Sequence, residues 1–224
     1  LNKEYKKIEK KLEYIQKNDI DLVFSAYHDC AKWEDIINRK VIYFPFAVDT
    51  SIFKQYYEPL RYDFGFSGSL HSKWISSRTR IKDELFFWKR IPRIKYIKYK
   101  IFWEEWGNKI PVGVEYARLL NSSKMWISTP SAIGLVGTRF YEILASKTLL
   151  FCVNSKFYGT LFSDKLHCVM FEPDLSDFHE KLSYYISEDD ERNKIIENGY
   201  QHVIKNHTWQ NRVQEFNSEI EYLF

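Results

Sequence analysis

The stretch GTRFYEILASKTLLFC, Gly137–Cys152, joins a helix that opens at a glycine to an apolar strand, and it decides the fold expected for the larger part of the chain. TRFYEILASK has the spacing of a helix, and TLLFCV, at 148–153, reads as a buried strand. The helix carries Arg139 and Glu142 in its first turns. Because the free amides and the dipole of a helix start favour negative charge, this stretch predicts an anionic ligand.

Strand and helix patterns alternate on both sides of this stretch. Strands are predicted at YDFGFSG, IKYIKYKIF, KMWIST and LHCVMF, with helices between and after them. Strands that alternate with helices form a parallel sheet covered on both faces, so we expect an α/β, Rossmann-like fold. In such a sheet, ligands bind at the carboxyl ends of the strands.

A second, smaller unit comes first in the chain. DLVFSA, AKWEDIINR and VIYFPFAVD predict a strand, a helix and a strand, and the polar and aromatic connector TSIFKQYYEPLR follows them. We therefore expect a partial N-terminal Rossmann portion at 1–50, a linker at 51–61 and a ligand-binding domain at 62–224. Residues 1–17 have amphipathic spacing, which favours a surface helix, with a membrane-surface anchor as the alternative.

The composition and the cysteine pattern limit which partners and which cellular compartment we expect for the protein. The 224 residues are 45% hydrophobic and carry a net charge of only +3, so no overall field favours nucleic acid. The three cysteines, Cys30, Cys152 and Cys168, are far apart and predict neither a disulfide framework nor a zinc site. This usage favours a reducing, cytoplasmic location. No apolar run reaches the roughly 20 residues of a membrane helix, so no span is expected, and the start at Leu1 indicates missing upstream sequence.

Two loops at the predicted carboxyl edge of the sheet carry the candidate site. In the first, SGSLHSKWISSRTR, Gly68 and Ser69 allow close approach of the backbone to a ligand, and Lys73, Arg78 and Arg80 add positive charge. The loop is a candidate phosphate cradle, with an ordinary turn and solvated arginines as the alternative. It lacks GxGxxG and the Walker pattern, so neither a classical dinucleotide enzyme nor a P-loop NTPase is predicted.

The second loop, STPSAIGLVGTRFYE, leads into the opening helix. Ser131 follows a strand, and Gly137, Thr138 and Arg139 begin a helix whose amides favour a phosphate. Glu142, one turn further on, can accept hydrogen bonds from the vicinal hydroxyls of a ribose. A diphosphate at the helix start and a ribose at the glutamate together predict a nucleoside diphosphate.

The order of these motifs resembles the nucleotide-sugar domain of GT-B glycosyltransferases, and it is most similar to the CgeB-like branch of glycosyltransferase family 1 and 4 proteins. The resemblance covers about 20–224 through FGFSGS, YARLLNSSKMWISTPS, GTRFYEILASKTLLFC and NGYQHVIKNHTWQNRVQEF. The positions that match the family pattern are Tyr116, Ser123, Lys124, Arg139, Glu142, Ala145, His207, Thr208 and Arg212.

This resemblance implies a hexosyl- or pentosyltransferase that moves a sugar from a nucleotide diphosphate sugar, with UDP or GDP, to a hydroxyl of a glycan, lipid or protein acceptor. It implies no metal and no cofactor beyond that donor. Glu142 matches the family glutamate that holds the ribose, and Gly137–Arg139 match the loop that meets the diphosphate. Residues 68–69 match the loop beneath the phosphates, and Lys73 or Arg78 would neutralise the leaving diphosphate.

Two departures from the family pattern leave alternatives open. Many relatives carry another glutamate near the donor sugar, and Gly134 stands in its place here. Residues 1–50 can hold only the last part of an acceptor-side domain, so a partner domain or subunit is expected. In that portion His28, in the loop YHDC, is a candidate acid or base, with a structural or surface histidine as the simpler interpretation. A non-catalytic nucleotide-sugar binding module and an exostosin-like transferase are the alternative functions.

Overall fold

Helices and strands alternate along the chain. The computed structural model describes residues 5–68, 77–88, 99–103, 111–131, 134–158 and 161–223. The helices are α1 (Tyr5–Lys17), α2 (Glu34–Ile37), α3 (Ser77–Trp88), α4 (Gly113–Asn121), α5 (Thr138–Ala145), α6 (Phe178–Ser187), α7 (Asp189–Asn206) and α8 (Trp209–Leu223). The strands are β1 (Leu22–Ser25), β2 (Lys40–Tyr43), β3 (Tyr62–Gly68), β4 (Tyr99–Trp103), β5 (Ser123–Ser128), β6 (Leu149–Val153) and β7 (Val169–Phe171).

The larger unit is built on a five-stranded sheet in the order β4-β3-β5-β6-β7, with every pair of neighbours parallel. Within this sheet, β3 is followed along the chain by β4 on one side of it, and β5 then pairs with β3 on its other side. The strand order therefore reverses between β3 and β5. In a doubly wound sheet, this reversal opens a crevice at the carboxyl ends of the two strands.

Helices cover both faces of this sheet, as the alternation predicts. On one face, Trp126 of β5 lies in a core with residues of α4, α5 and α7, and on the other its neighbours Met125 and Ile127 pack with α3 and α6. All three side chains have no exposed surface. Successive side chains of a strand point to opposite faces, so a strand buried on both sides is apolar throughout. The expected α/β, Rossmann-like fold is confirmed.

Several element boundaries differ from the sequence-based expectation, and the strand expected at LHCVMF is only Val169–Phe171. The strand expected at VIYFPFAVD ends at Tyr43, two residues before Pro45, which has no N–H to donate to a strand partner. The strand expected at 94–102 is described as β4 only from Tyr99, and residues 94–98 lie outside the described residues.

The smaller unit holds a separate two-stranded parallel sheet, β1 with β2, in which Leu22 pairs with Lys40. Its core contains Leu12 of α1 and Trp33, and Ile15 packs against it. The apolar face of α1 is therefore turned into the protein, which favours the surface-helix interpretation. The described residues contain no helix long and apolar enough to cross a membrane.

The last helix returns to this smaller unit. The rings of Phe24 in β1 and Phe216 in α8 have centroids 5.0 Å apart, and Lys40 forms an ion pair with Glu219 at 2.8 Å. Val48, which follows β2, forms an isolated parallel bridge with Thr208, just before α8. The segment after β2 and the segment before α8 thus run next to each other between the two units. The domain boundaries expected at 50 and 62 stay predictions.

Candidate functional site

The crevice between β3 and β5 collects most of the described site residues. Gly68 ends β3, Ser128 ends β5, and α5 begins at Thr138 after the loop from β5. The helix is fixed by burial of five of its eight side chains, which are Phe140, Tyr141, Ile143, Leu144 and Ala145. Its less buried side, with Arg139 and Glu142, belongs to the crevice.

Arg139 is held by the backbone of the neighbouring strand. Its Nη1 donates a hydrogen bond of 3.0 Å to the carbonyl of Ser67. A Cβ atom at Gly68 would lie 3.8 Å from Nη1 and 3.0 Å from the ring of Phe66, so the bare glycine lets the arginine and the strand end come together. Within the described residues, Arg139 forms no ion pair with a carboxylate.

Arg78, from the first turn of α3, faces the same crevice. Its Nε donates to the hydroxyl of Thr129 at 2.7 Å, and Nη2 has longer contacts of 3.4 Å with the carbonyls of Thr129 and Pro130. Burial, and then the charge of Arg139, lower the pKa of the Arg78 guanidinium. Two guanidinium groups therefore repel each other across the crevice, and an anion bound between them would relieve the repulsion.

The start of α5 is open towards this pair of cations. Gly137 occupies the N-cap position without a side-chain cap, and a Cβ atom added to it would meet nothing within 4 Å. Space is therefore left beside Gly137 for an anion at the helix start, where the N–H of Phe140 already donates to the carbonyl of Gly137 at 3.3 Å.

Described residues on the two sides of 132–133 are hydrogen-bonded to each other. Gly134 has a φ of +77°, and its N–H donates to the carbonyl of Ser131 at 2.9 Å. The hydroxyl of Ser131 accepts the N–H of Leu135 at 3.0 Å. The Ser131 side chain thus shapes the loop, and its contact with a ligand stays a prediction.

Glu142 also lies at the crevice, and its side chain is half-buried. Burial raises the pKa of its carboxyl group above the ordinary 4.5, against the opposing effects of a hydrogen bond with Thr138 and of the charge of Arg139. Thr138 therefore orients the carboxylate from within the same helix. A partly buried carboxylate with one internal partner retains acceptor positions for the hydroxyls of a ligand.

Several residues beneath the crevice were not singled out as site residues by the sequence. The hydroxyls of Ser67 and Tyr116 lie 3.0 Å apart, and Nε1 of Trp126 donates to Ser67 at 3.3 Å. Thr129 holds Arg78. Ser67 lies inside the quoted FGFSGS motif, but only the pairing of β3 with β5 shows which neighbours it meets.

Other candidates stand apart or outside the described residues. Ser69 and Lys73 lie outside them, so their predicted roles stay untested. His28 is an exposed residue between β1 and the 3-10 helix Cys30–Trp33, and none of the contacts given above for Arg78, Arg139 or Glu142 involves it. The described part of the chain holds no group of three histidine, cysteine or acidic side chains suited to a metal ion.

The family-matching residues near the C-terminus form a buried clasp. Arg212, 2% exposed at its side chain, donates to the carbonyls of Pro45 and Asn206 at 2.9 and 3.2 Å and forms an ion pair with Glu215 at 2.7 Å. Its Nη2 lies 2.7 Å from Nδ1 of His207. These bonds tie α8 to the end of β2, so this motif holds the two units together.

The lysine of the SK motif is also structural. Nζ of Lys124 forms an ion pair with Asp63 at 3.0 Å and donates to the carbonyl of Ile186 at 3.1 Å. It joins β3, β5 and the end of α6, on the side of the sheet opposite to the crevice, where the strands begin.

Solved structures share this fold at low sequence identity. The C-terminal domain of a glycosyl transferase group 1 family protein (LpcC) from Francisella tularensis is 18% identical, with a TM-score of 0.52, over 72% of this chain and 98% of that chain. HepE from Anabaena, in complex with UDP-glucose, is 8% identical, with a TM-score of 0.65, over 90% of this chain. A TarM mutant from S. aureus, in complex with fondaparinux, alpha-GlcNAc-glycerol and UDP, is 13% identical, with a TM-score of 0.66, over 93%.

The chain spans 64% of the length of HepE and 46% of that of TarM. A comparison with curated proteins found no match. The fold of the larger unit is that of GT-B C-terminal domains, as the resemblance predicted. A family model described as "Glycosyl transferase-like" matches residues 78–218, which include Arg139 and Glu142, and the chain belongs to this family.

Proposed function

We propose that this chain binds the donor of a glycosyltransferase, a nucleoside diphosphate sugar, and takes part in moving the sugar to an acceptor hydroxyl. The observation that carries the proposal is the pair of guanidinium groups at the open start of α5. Arg78 and Arg139 are held by main-chain carbonyls and a hydroxyl, and burial together with the charge of Arg139 disfavours the Arg78 cation, an effect that a bound anion would oppose. A diphosphate, with its two charged groups, matches two cations beside the start of a helix.

The same groups suit the chemistry of sugar transfer. When the bond between the anomeric carbon and the diphosphate oxygen breaks, negative charge builds up on the departing diphosphate. Arg139, Arg78 and the amides near Gly137 are fixed before that charge develops, so they stabilise it without reorganising. This is a role for the protein's own groups at the leaving group, and no described residue is assigned as the base.

Glu142 is the proposed ribose ligand. Its carboxylate lies one turn beyond the helix start, close enough to Arg139 for the two charges to interact. A ribose attached to a diphosphate at the helix start would present its hydroxyls to this carboxylate. Because burial disfavours the ionised form, two hydroxyl donors would also compensate for the lost water.

The finer assignments remain part of the proposal. Membership of the CgeB-like branch, hexosyl rather than pentosyl transfer, the glycan, lipid or protein nature of the acceptor and the cytoplasmic location all stay predictions. UDP is the first nucleotide to test, since HepE and TarM were solved with UDP-glucose and UDP. A partner domain or subunit is proposed because the chain spans only part of the length of those proteins.

Isothermal titration calorimetry with UDP, GDP and CDP tests the proposal directly. We expect one of the three to bind and inorganic phosphate to compete weakly at the same site. Arg139→Gln should abolish most of that binding, while Arg118→Gln, which removes an exposed ion pair on α4, should leave it unchanged. No binding of any of the three by the wild-type chain contradicts the proposal.

A non-catalytic nucleotide-sugar binding module is the second candidate function. Gly134 favours it, because a φ of +77° strains any larger residue at the place where the family carries its sugar-side glutamate. Slow hydrolysis of UDP-glucose separates the two functions. An enzyme would release glucose at a rate that falls in Arg139→Gln, whereas a binding module would release none. No described feature favours the exostosin-like alternative.

A further inference from the structure

A buried hydrogen-bond network lies directly beneath Arg139, and sugar transfer as proposed does not use it. Ser67, 4% exposed, is its centre. The Ser67 hydroxyl accepts a hydrogen bond from Nε1 of Trp126 at 3.3 Å and lies 3.0 Å from the hydroxyl of Tyr116. The Ser67 carbonyl accepts the hydrogen bond from Nη1 of Arg139. One residue therefore connects the floor of the crevice to the arginine.

The members of this network have little freedom to move. Trp126 has no exposed surface, and its ring fills the space where Gly65 has no side chain, since a Cβ there would lie 2.0 Å from the ring. The ring of Tyr116 meets Trp126 edge-on, with centroids 5.8 Å apart and planes at 80°. A packed interior holds such groups in one arrangement, so the Ser67 hydroxyl is fixed from two sides.

The hydroxyl of Tyr116 also lies near both charged residues of the crevice. Burial raises its pKa, the charge of Arg139 lowers it and that of Glu142 raises it again. The phenol is therefore neutral, and the charges of both residues reach it.

We infer that Tyr116 is a positioning residue, which holds the Arg139 guanidinium through Ser67 at the place where a nucleoside diphosphate binds. This inference rests on the proposed function, because it assigns a role within that same site. Without the phenol hydroxyl, the Ser67 side chain keeps only Trp126 as a partner, and the carbonyl that holds Arg139 is less firmly fixed. A small displacement of a charged donor weakens its contact with a phosphate, while contacts to the base stay intact.

The test compares Tyr116→Phe with the wild type by NMR titration, using UDP and uridine as probes. We expect the affinity for UDP to fall about three- to tenfold, as for one lost hydrogen bond, and the affinity for uridine to stay the same. Ser67→Ala should give the same pattern. The double variant should bind UDP no more weakly than the single variant with the lower UDP affinity, because both changes break the same network.

The matched control is Tyr158→Phe. Tyr158 is a phenol in the same core, 2% exposed, and none of its described contacts reaches Arg139 or Glu142. We expect wild-type affinity for UDP in this variant. Ser67→Ala keeps the inference testable if Tyr116→Phe does not fold.

Each outcome separates the inference from the proposed function. Wild-type UDP affinity in Tyr116→Phe, an equal loss for UDP and uridine, or fully additive losses in the double variant would each overturn the inference while the wild-type chain still binds UDP. If the wild type itself binds no nucleoside diphosphate, the proposed function fails and the inference fails with it.

Discussion

The chain places two arginines of its family motifs in opposite surroundings. Arg139, at the crevice, has one described hydrogen bond, to a carbonyl, and faces another arginine. Arg212, at the clasp between the units, is almost fully buried and bonds to Glu215, His207 and two carbonyls. We assign Arg139 to ligand binding and Arg212 to holding the two units together, and the number of protein partners of each arginine distinguishes these roles.

The difference follows from what each environment leaves unsatisfied. At the clasp, the donors of Arg212 have oxygen or nitrogen partners inside the protein, so no ligand is needed. At the crevice, burial and the charge of Arg139 disfavour the Arg78 cation, and the Glu142 carboxylate, near enough to interact with Arg139, is itself disfavoured by burial. Such a site is less stable alone than with an anion, which is typical of binding sites whose local strain serves function.

The largest effect is expected at the clasp. Arg212→Gln should lower the free energy of unfolding by about 3–5 kcal/mol, because it removes a buried guanidinium and leaves two partly buried carbonyls, of Pro45 and Asn206, without that donor. Urea denaturation followed by circular dichroism measures this loss. Arg61→Gln is the matched control, since its ion pair with Glu58 is long, 3.8 Å, and its own side chain is 62% exposed, so it should change stability by less than about 1 kcal/mol. Equal losses of stability in Arg212→Gln and Arg61→Gln would show that burial at the clasp does not make Arg212 more important for stability than an exposed arginine.

The second effect concerns binding without loss of stability. Arg139→Gln should weaken UDP binding by about 2–3 kcal/mol, roughly 30- to 150-fold, as for one charge-assisted contact with phosphate. Its thermal midpoint should match or exceed that of the wild type, because one of two repelling charges is gone. Calorimetry and thermal denaturation together measure both quantities. A clear drop in the midpoint would mean that Arg139 is also a structural residue.

The third effect is a pH dependence of stability at the clasp. Burial, then the charges of Arg212, His202 and His167, lower the pKa of His207 to about 3, below its ordinary 6.5. The unfolded chain binds this proton below 6.5 and the folded chain does not, so stability falls as the pH drops from 6.5 towards 3. One proton gives at most about 1.4 kcal/mol per pH unit.

The matched variant for this prediction is His207→Asn, which keeps an acceptor for Arg212 but does not titrate. Urea denaturation between pH 4 and pH 8 should show a shallower slope in the variant, with a remainder from His167, whose pKa burial also lowers. Parallel pH profiles would rule out His207 as the source.

The smallest effect is expected at Glu142. Glu142→Gln should weaken UDP binding about tenfold, as for lost hydrogen bonds to a charged acceptor. Because the folded pKa of Glu142 is raised, wild-type affinity should increase as the pH rises from 4.5 through that raised pKa. The glutamine variant should lack this component, and the difference between the two profiles removes the titration of UDP itself.

The stability of Glu142→Gln changes in the opposite direction. Ionisation of the buried carboxyl group costs the wild type stability as the pH rises through the same interval, whereas glutamine does not ionise. The variant should therefore be at least as stable as the wild type at neutral pH. If it is both less stable and unchanged in affinity, Glu142 is a structural residue and the ribose assignment is wrong.

Part of this site was predictable from local pattern. A glycine, then a helix start with an arginine and a glutamate one turn apart, then an apolar strand, places Gly137, Arg139 and Glu142 at one edge of a parallel sheet. These features depend on residues close in sequence, where periodicity and helix-start physics apply. The loop carrying Ser69 and Lys73 offered the same residue types, and its part in binding stays a prediction.

The sequence by itself determined the parallel α/β architecture and the polarity of the α5 start, because both follow from short-range spacing of apolar residues and glycine. Tertiary structure alone decided which charges stay open and which are satisfied. Arg139 and Arg212 have the same side chain, and their roles differ through partners 72 and 167 residues away, Ser67 and Pro45. Burial and hydrogen bonding between distant segments set those roles, and no local pattern encodes them.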